Sequence, residues 1–219
     1  MHRFLYLYLI CFFVLVYNIF ACVSIPQRTF QSEARTILHI LTREILMNEI
    51  LNAIKTRRSV RSYKSDMPKR EDIEAILDAG LRAPTGRNQQ GVIIVTITNK
   101  EVRDRYARAN AEVIGANSDT FYGAPVIYVV LERCGTSCLG YNGPIALENM
   151  MLAAYSLGLG SCWIHRAKEV FEKDEWKAWL KEVGIEDECV GIGNLAVGYT
   201  DGEYPAPKPV NDGRAYFVD

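Results

Sequence analysis

Three apolar runs, rich in valine and isoleucine, constrain the fold of this 219-residue chain more than any other feature. Each run has the length and the β-branched composition of a buried strand, and the three lie at residues 92–97, 126–131 and 190–197. Stretches with helical spacing of apolar residues are found at residues 71–81, 100–109, 144–157 and 168–180. Because strands and helices are interspersed without a strict βαβ repeat, the pattern predicts an α+β domain in which helices flank a central sheet.

The first 46 residues differ in composition from the remainder and form a separate N-terminal extension. Residues 4–23 are an apolar run after His2 and Arg3. The run has about the roughly 20 residues that a membrane-spanning helix needs. Its basic start and the small residue Ala21 also resemble a signal peptide. On either interpretation, the protein would be exported or anchored to a membrane through residues 1–23.

Translation that begins at Met47 is a third interpretation, and it is the one we favour. Met47 is followed at once by a helical pattern that contains Ile50, Leu51 and Ile54. Residues 43–44, Arg-Glu, can be encoded by a purine-rich run like a bacterial ribosome-binding site, two codons before Met47. We therefore expect one functional domain at residues 47–219, located in the cytoplasm.

The charge and the cysteines narrow the classes of partner. The 25 basic and 26 acidic residues nearly cancel, so the net charge does not favour nucleic acid as the main partner. The six cysteines lack the ligand spacing of zinc or iron–sulfur sites. We therefore expect no nucleic acid partner and no metal site, and we interpret the cysteines as free thiols in a reducing compartment.

Three polar or glycine-rich clusters are candidates for a binding site. The first, RRSVR at residues 57–61, has three guanidinium groups suited to phosphate. The second, APTGRNQQ at residues 83–90, has side-chain amides that can bind a heterocycle or a polyol. The third, GLGSCWI at residues 158–164, is predicted to be a turn whose backbone can approach a flat ligand closely. Taken singly, the first two could equally be a solvated basic turn and an ordinary polar loop.

Taken together and in order, these clusters resemble the nitroreductase family. The matching segments are RRSVR, APTGRNQQ, FYGAPVIYVV, ALENMMLAAYSLGLGSCWI and GNLAVGY, which extend over nearly all of residues 47–219. The resemblance implies a nitroreductase-like fold with a mostly antiparallel central sheet, and an intertwined homodimer that binds FMN non-covalently at its interface. It also implies a ping-pong reaction, in which NADPH or NADH gives hydride to flavin N5 and a small electron-poor acceptor is then reduced. Nitroaromatics, quinones and flavins are acceptors of this kind.

The resemblance also implies roles for individual residues by their position. Arg57, Ser59 and Arg61 correspond to contacts with the phosphate and with the ribityl and pyrimidine parts of FMN, and Arg58 is their neighbour. The other implied cofactor contacts are Pro84, Thr85, Gly86 and Asn88 on a loop from the partner chain, Asn117 at the isoalloxazine, Ile164, His165 and Arg166 near flavin N5, and Lys208 at the phosphate. No catalytic side chain is expected, because the flavin carries the chemistry, and His165 is assigned a role for its backbone.

Three positions depart from the family pattern. Val210 stands where a second basic residue often follows Lys208, and Gly91 replaces the usual proline after Gln90. Asn142 stands where close relatives often have aspartate. None of these differences removes a group that the implied chemistry needs.

Other functions on the same scaffold stay open from the sequence. A reductase of enones or of halogenated aromatics would share these motifs, and so would a flavin-binding redox sensor or store without fast turnover. A membrane-anchored interaction protein built around residues 1–23 belongs to a different class. The loops around residues 99–122 and 132–143, which would cover a substrate, contain no recognisable motif, so the acceptor and the choice between NADH and NADPH are not predicted.

Measurement of the intact mass of the native protein tests the prediction that translation starts at Met47. We expect the mass of a chain that begins at Met47, because the helical domain starts there. A mature N-terminus well upstream of Met47 would contradict this prediction and favour the signal peptide or the anchor.

Overall fold

A computed structural model describes residues 49–218. Helix α1 includes residues 49–56, and the later helices are α2 (Arg70–Leu81), α3 (Lys100–Val113), α4 (Asn142–Ser156), α5 (Ala167–Phe171) and α6 (Asp174–Glu182). The strands are β1 (Val92–Ile97), β2 (Val126–Arg133), β3 (Gly160–Ile164) and β4 (Cys189–Gly198), and a 3₁₀ turn occupies Gly86–Asn88. The chain divides between Leu51 and Asn52, and these strands all belong to the unit that begins at Asn52.

The four strands form one sheet in the order β1–β2–β4–β3. Each neighbouring pair is antiparallel. The β1–β2 register runs from Val92 opposite Glu132 to Ile97 opposite Ile127. The α+β class and the antiparallel character of the sheet are therefore confirmed.

Strand β2 lies inside the sheet and is buried on both faces. Because successive side chains of a strand point to opposite faces, its residues are divided between two cores. Ile127, Val129 and Leu131 enter the core covered by α3, α5 and α6. The intervening residues, Val126, Tyr128 and Val130, enter the core covered by α2 and α4. The result is a sheet between two layers of helices.

The core beneath α3, α5 and α6 is rich in aromatic side chains. Tyr106 meets the Trp176 ring edge-on, with 5.0 Å between centroids, and Phe171 and Trp179 pack beside Trp176. Trp176 and Trp179 are buried, whereas Trp163 is 44% exposed. Two of the three tryptophans therefore belong to the core.

Two elements differ from the sequence prediction. Residues 160–164, predicted to be part of a small-residue turn, form strand β3 and pair with β4. The segment is only five residues long and begins with glycine and serine, so it has no strand pattern of its own, and pairing with β4 imposes the extended conformation.

The second difference is the predicted helix at residues 168–180, which is two helices in the structure. The break lies at Lys173, whose backbone is extended with φ −75° and ψ 136°. Phe171 and Trp176 are both buried in the same core. On one continuous helix, residues five positions apart would point about 140° apart, so the break allows both rings to enter this core.

The membrane interpretations concern residues that the structure does not describe. Within residues 49–218, no helix is both long and apolar enough to cross a membrane. The apolar run at residues 4–23 and the start at Met47 lie outside the described range, so the signal peptide, the anchor and the internal start stay predictions.

Candidate active site

Arg57 follows helix α1, and two nitrogens of its guanidinium group lack hydrogen-bond partners within the described residues. The side chain is 20% exposed, and within residues 49–218 its buried Nε and Nη1 atoms have no acceptor. Oε1 of Glu148 lies 3.9 Å from Nε, which is too far for a hydrogen bond. Because buried donors are normally paired, this guanidinium is suited to bind an anion.

The segment that contains Arg57 continues alongside strand β3. Ser59 forms a parallel bridge with Ser161, and the Val60 N–H donates to the Ser161 carbonyl at 2.9 Å. Arg61, one residue further, is exposed. The bridge brings the first cluster, residues 57–61, next to the third, residues 158–164.

Cys162 follows Ser161 on β3 and is buried. Burial raises the pKa of its thiol, against smaller lowering effects of Arg61 and Ser59. The thiol is therefore protonated at neutral pH and is not a thiolate nucleophile. The other cysteines of the described range, Cys134, Cys138 and Cys189, are also free thiols.

The C-terminal segment, residues 201–218, reaches the first cluster through Tyr204. The Tyr204 hydroxyl accepts a hydrogen bond from the Arg58 N–H at 2.7 Å and donates to the Arg58 carbonyl at 3.3 Å. The Arg58 side chain donates to the carbonyls of Lys55 and Arg57 at the end of α1. Lys208 is exposed on this segment, four residues after Tyr204, so their Cα atoms are at most roughly 14 Å apart.

The chain turns after β3, at residues 164–166. Arg166 adopts a left-handed conformation with φ 77°, which is uncommon for a residue other than glycine. The carbonyl of His165 accepts hydrogen bonds from Asn110 Nδ2 at 2.9 Å and from Asn194 Nδ2 at 3.1 Å. Side-chain amides from α3 and β4 therefore hold the backbone of this turn.

The side chains of the turn have partners on the same part of the chain. Arg166 Nη1 donates to Glu169 Oε1 at 2.7 Å, and this hydrogen bond lowers the pKa of the Glu169 carboxyl group. The His165 side chain is exposed, and its ring lies 5.4 Å from the Trp163 ring. Among the groups of this turn, the backbone is better placed than the paired Arg166 side chain to bind a ligand.

The loop that contains Gly86 is held by two buried side chains. Asn142 Oδ1 accepts a hydrogen bond from the Gly86 N–H at 2.8 Å, and Asn142 Nδ2 donates to Glu132 Oε2 at 3.1 Å. The fully buried Glu132 carboxylate also accepts from the N–H groups of Gly140 and Gly143. The carboxylate therefore fixes the start of α4, and through Asn142 it fixes the Gly86 loop.

The remainder of the Gly86 loop is tightly wound. Arg87, Asn88 and Gln90 have φ values of 53°, 53° and 51°. Thr85 Oγ1 accepts a hydrogen bond from the Gln90 N–H at 2.9 Å, and Asn88 Oδ1 accepts from Gln90 Nε2 at 3.3 Å. Pro84 and Asn88 are exposed, so these two residues can contact another molecule.

Asn117 lies in a different environment. Together with Arg103, Arg108 and Asp119, it lines a cavity of about 400 Å³ beside helix α3. Across residues 49–218, no hydrogen bond joins Asn117 to the first cluster or to the turn at 164–166. The bridge to Ser161 therefore connects the first cluster to strand β3, whose end forms the turn. Within residues 49–218, no hydrogen bond connects Asn117 or the Gly86 loop to the first cluster.

A model of the nitroreductase family matches residues 54–121 and 115–199 of this chain. The match extends over more than half of the 219 residues and contains the first cluster, the Gly86 loop and strand β3 with its turn. The chain belongs to the nitroreductase family. The family resemblance found in the sequence motifs is confirmed.

Similar proteins include a named relative and solved structures. A protein of Archaeoglobus fulgidus named as an NADH dehydrogenase/NAD(P)H nitroreductase is 30% identical over 176 residues, which are 78% of this chain and 98% of that protein. A nitroreductase of Bacteroides fragilis, solved with bound FMN, is 30% identical with a TM-score of 0.70, over 78% of this chain and 98% of that chain. An FMN-bound nitroreductase of Desulfitobacterium hafniense, 24% identical, has the same fold with a TM-score of 0.68, over 78% and 98% of the two chains.

Five residues of this chain hold the candidate site but were not predicted to do so: Asn110, Glu132, Asn142, Asn194 and Tyr204. Glu132 gives a signal in the sequence, because an acidic residue directly after a run of buried apolar residues needs partners. Asn194 interrupts an apolar strand in the same way. Asn110 and Tyr204 cannot be recognised from the sequence in this way, since neither residue interrupts a long apolar run.

Replacing Glu132 with glutamine tests the buried carboxylate. The amide group of glutamine would leave at least one of the buried N–H donors without an acceptor, so we expect the free energy of unfolding to fall by about 1–3 kcal/mol. Urea denaturation measures the change. The control is Glu172→Gln, whose side chain is 63% exposed, and we expect it to change stability by less than about 0.5 kcal/mol. Equal effects of the two variants would contradict the role of Glu132.

Proposed function

We propose that this nitroreductase binds FMN and reduces small electron-poor molecules, such as nitroaromatics, quinones or flavins, with electrons from NADPH or NADH. The observation that carries the proposal is the guanidinium of Arg57, whose buried Nε and Nη1 have no acceptor within residues 49–218. A phosphate group presents several oxygens and can accept hydrogen bonds from a guanidinium. The FMN in the solved structure from Bacteroides fragilis supports the choice of ligand.

The groups near Arg57 fit the other parts of FMN. FMN carries hydrogen-bond acceptors at its phosphate, its ring nitrogens and its pyrimidine carbonyl oxygens. The residues proposed to face these acceptors are donors: Arg57, Arg61 and the hydroxyl of Ser59, together with the backbone of the turn after β3. Ser59 lies beside this strand through its bridge with Ser161, so the donors belong to one region of the molecule.

Binding and orientation are the roles that we propose for these residues. Bound FMN would supply the redox chemistry, accepting two electrons as hydride from NADPH or NADH and delivering them to the acceptor. Arg57 would hold the phosphate, with Arg58 and Lys208 near it, and Ser59 and Arg61 would bind the ribityl chain and the pyrimidine edge. The backbone of Ile164, His165 and Arg166 would donate near N5, where fixed dipoles would polarise the oxidised ring for hydride transfer. We assign no side chain as a proton donor or base.

We further propose that the site is completed by a second copy of the chain. Within residues 49–218, no hydrogen bond joins Gly86 or Asn88 to the first cluster, although the family resemblance places both loops at the flavin. A partner would then supply Pro84, Thr85, Gly86 and Asn88, and by the same family resemblance Asn117 would lie near the isoalloxazine. Several large apolar side chains are exposed, among them Ile54, Leu81 and Ile145, as expected of a surface covered by another chain.

The proposed functional unit is residues 47–219. If translation starts at Met47, the enzyme is cytoplasmic, and if residues 1–23 are retained, it is exported or anchored to a membrane. The acceptor is a small molecule, and we assign nucleic acid no part in the function.

Titration of the full-length protein with FMN tests the cofactor and the role of Arg57. We expect Arg57→Ala to weaken FMN binding by roughly 10- to 150-fold, because hydrogen bonds to charged groups contribute about 1.5–3 kcal/mol. Quenching of FMN fluorescence measures the Kd. Arg70→Ala is the matched control, since its side chain is 73% exposed on α2, and its Kd should equal that of the wild type. A wild-type protein that takes up no FMN would contradict the proposed function, and an unchanged Kd in Arg57→Ala would contradict this role of Arg57.

A further inference from the structure

Two buried asparagines bind the backbone of the turn that follows strand β3. Asn194, on β4, is fully buried, and Asn110, on α3, is 1% exposed. Asn194 Nδ2 donates to the carbonyls of Ile164 and His165 at 3.2 and 3.1 Å. Asn110 Nδ2 donates to the same His165 carbonyl at 2.9 Å. Three hydrogen bonds are therefore directed at two consecutive peptide carbonyls.

The direction of these carbonyls determines the direction of the next two N–H groups. The described chain has no cis peptide bond, and in a planar trans peptide the C=O and the following N–H point in opposite directions. The Ile164 and His165 carbonyls point towards the asparagines. The N–H groups of His165 and Arg166 consequently point away from Asn110 and Asn194. Within residues 49–218, neither N–H has a hydrogen-bond acceptor.

A third buried group determines which way the Asn194 amide faces. The Tyr106 hydroxyl donates to Asn194 Oδ1 at 2.6 Å. Burial raises the pKa of Tyr106, so the hydroxyl keeps its proton. With the oxygen of Asn194 bound to Tyr106, its NH₂ group is left to face the turn.

We propose that Asn110 and Asn194 are positioning residues, which orient the His165 and Arg166 N–H groups towards the flavin N5 position. The inference rests on the proposed function, because it requires bound FMN. Arg166 is held at φ 77°, and such a conformation persists in a residue other than glycine only where the surroundings maintain it. Deletion of a preorganised donor is costly to catalysis because fixed dipoles need no reorganisation during the reaction.

Asn110→Asp tests the proposal with a change that conserves the size of the side chain. At a pH at which the new aspartate is ionised, its carboxylate cannot donate and would repel the His165 carbonyl, so the peptide plane would rotate and carry the Arg166 N–H with it. In the FMN-loaded protein, we expect reduction by NADPH or NADH to slow by roughly 10- to 100-fold, less than the roughly 100- to 1000-fold that deletion of a donor costs. The two-electron potential of the bound flavin should differ from that of the wild type. N5 accepts a hydrogen bond in the oxidised ring but carries a hydrogen in the reduced ring, so loss of the donor affects the two states unequally.

The matched control is Asn149→Asp. Asn149 Nδ2 also donates to a backbone carbonyl, that of Ala79, at 3.2 Å, and it is on helix α4 with no contact to the turn among its hydrogen bonds. Both variants should lower the melting temperature of the apoprotein. Only Asn110→Asp should change the potential of the flavin and the rate of its reduction.

Tyr106→Phe provides a second variant for the case in which Asn110→Asp does not fold. Loss of the hydroxyl frees the Asn194 amide to rotate, so we expect slower reduction and a potential shifted in the same direction as in Asn110→Asp, with a smaller change. If the folded variants lose thermal stability while the potential and the reduction rate equal those of the wild type, the asparagines are only structural and the proposal is wrong. A wild-type protein without bound FMN would instead overturn the proposed function, and the inference with it.

Discussion

The burial of strand β2 on both faces is the constraint on which the rest of the structure depends. Each residue of β2 from Val126 to Leu131 is completely buried, so helices must cover both faces of the sheet. Because successive side chains of a strand point to opposite faces, the residues of β2 alternate between the two helix-covered cores. Loops that can bind a ligand then lie where strands end. The turn after β3 and the Gly86 loop, which precedes β1, are two such places.

Both loops are held in the same way, by buried polar side chains that bind backbone groups. Glu132, at the end of β2, binds Asn142, whose amide oxygen accepts from the Gly86 N–H. Asn194, on the neighbouring strand β4, binds the carbonyls of the turn after β3. Polar groups inside a protein are costly unless they are paired, and here the pairing connects the rigid sheet to the loops. The geometry of the candidate site therefore depends on residues that would not touch the cofactor.

The sequence predicted the features that depend on local pattern, and it missed those that depend on tertiary contacts. Strands β1, β2 and β4 were predicted within two residues at each end, because their apolar runs are long and β-branched. Strand β3 was missed, because its extended form comes from pairing with β4. The Arg57 cluster was found from its composition, whereas the roles of Asn110 and Tyr204 require knowledge of which segments meet. The positions of all the predicted cofactor-binding residues relative to FMN, Asn117 and Lys208 among them, stay predictions.

The visible absorption spectrum of the FMN-loaded protein, recorded without oxygen, tests the central claim most directly. The account predicts that the flavin band bleaches within seconds of adding NADPH or NADH, and that it returns on adding a quinone or a nitroaromatic. This result would establish electron transfer in both directions on one site. A flavin band that neither nicotinamide bleaches, or a reduced flavin that no acceptor reoxidises, would contradict the enzyme and favour a flavin-binding sensor or store.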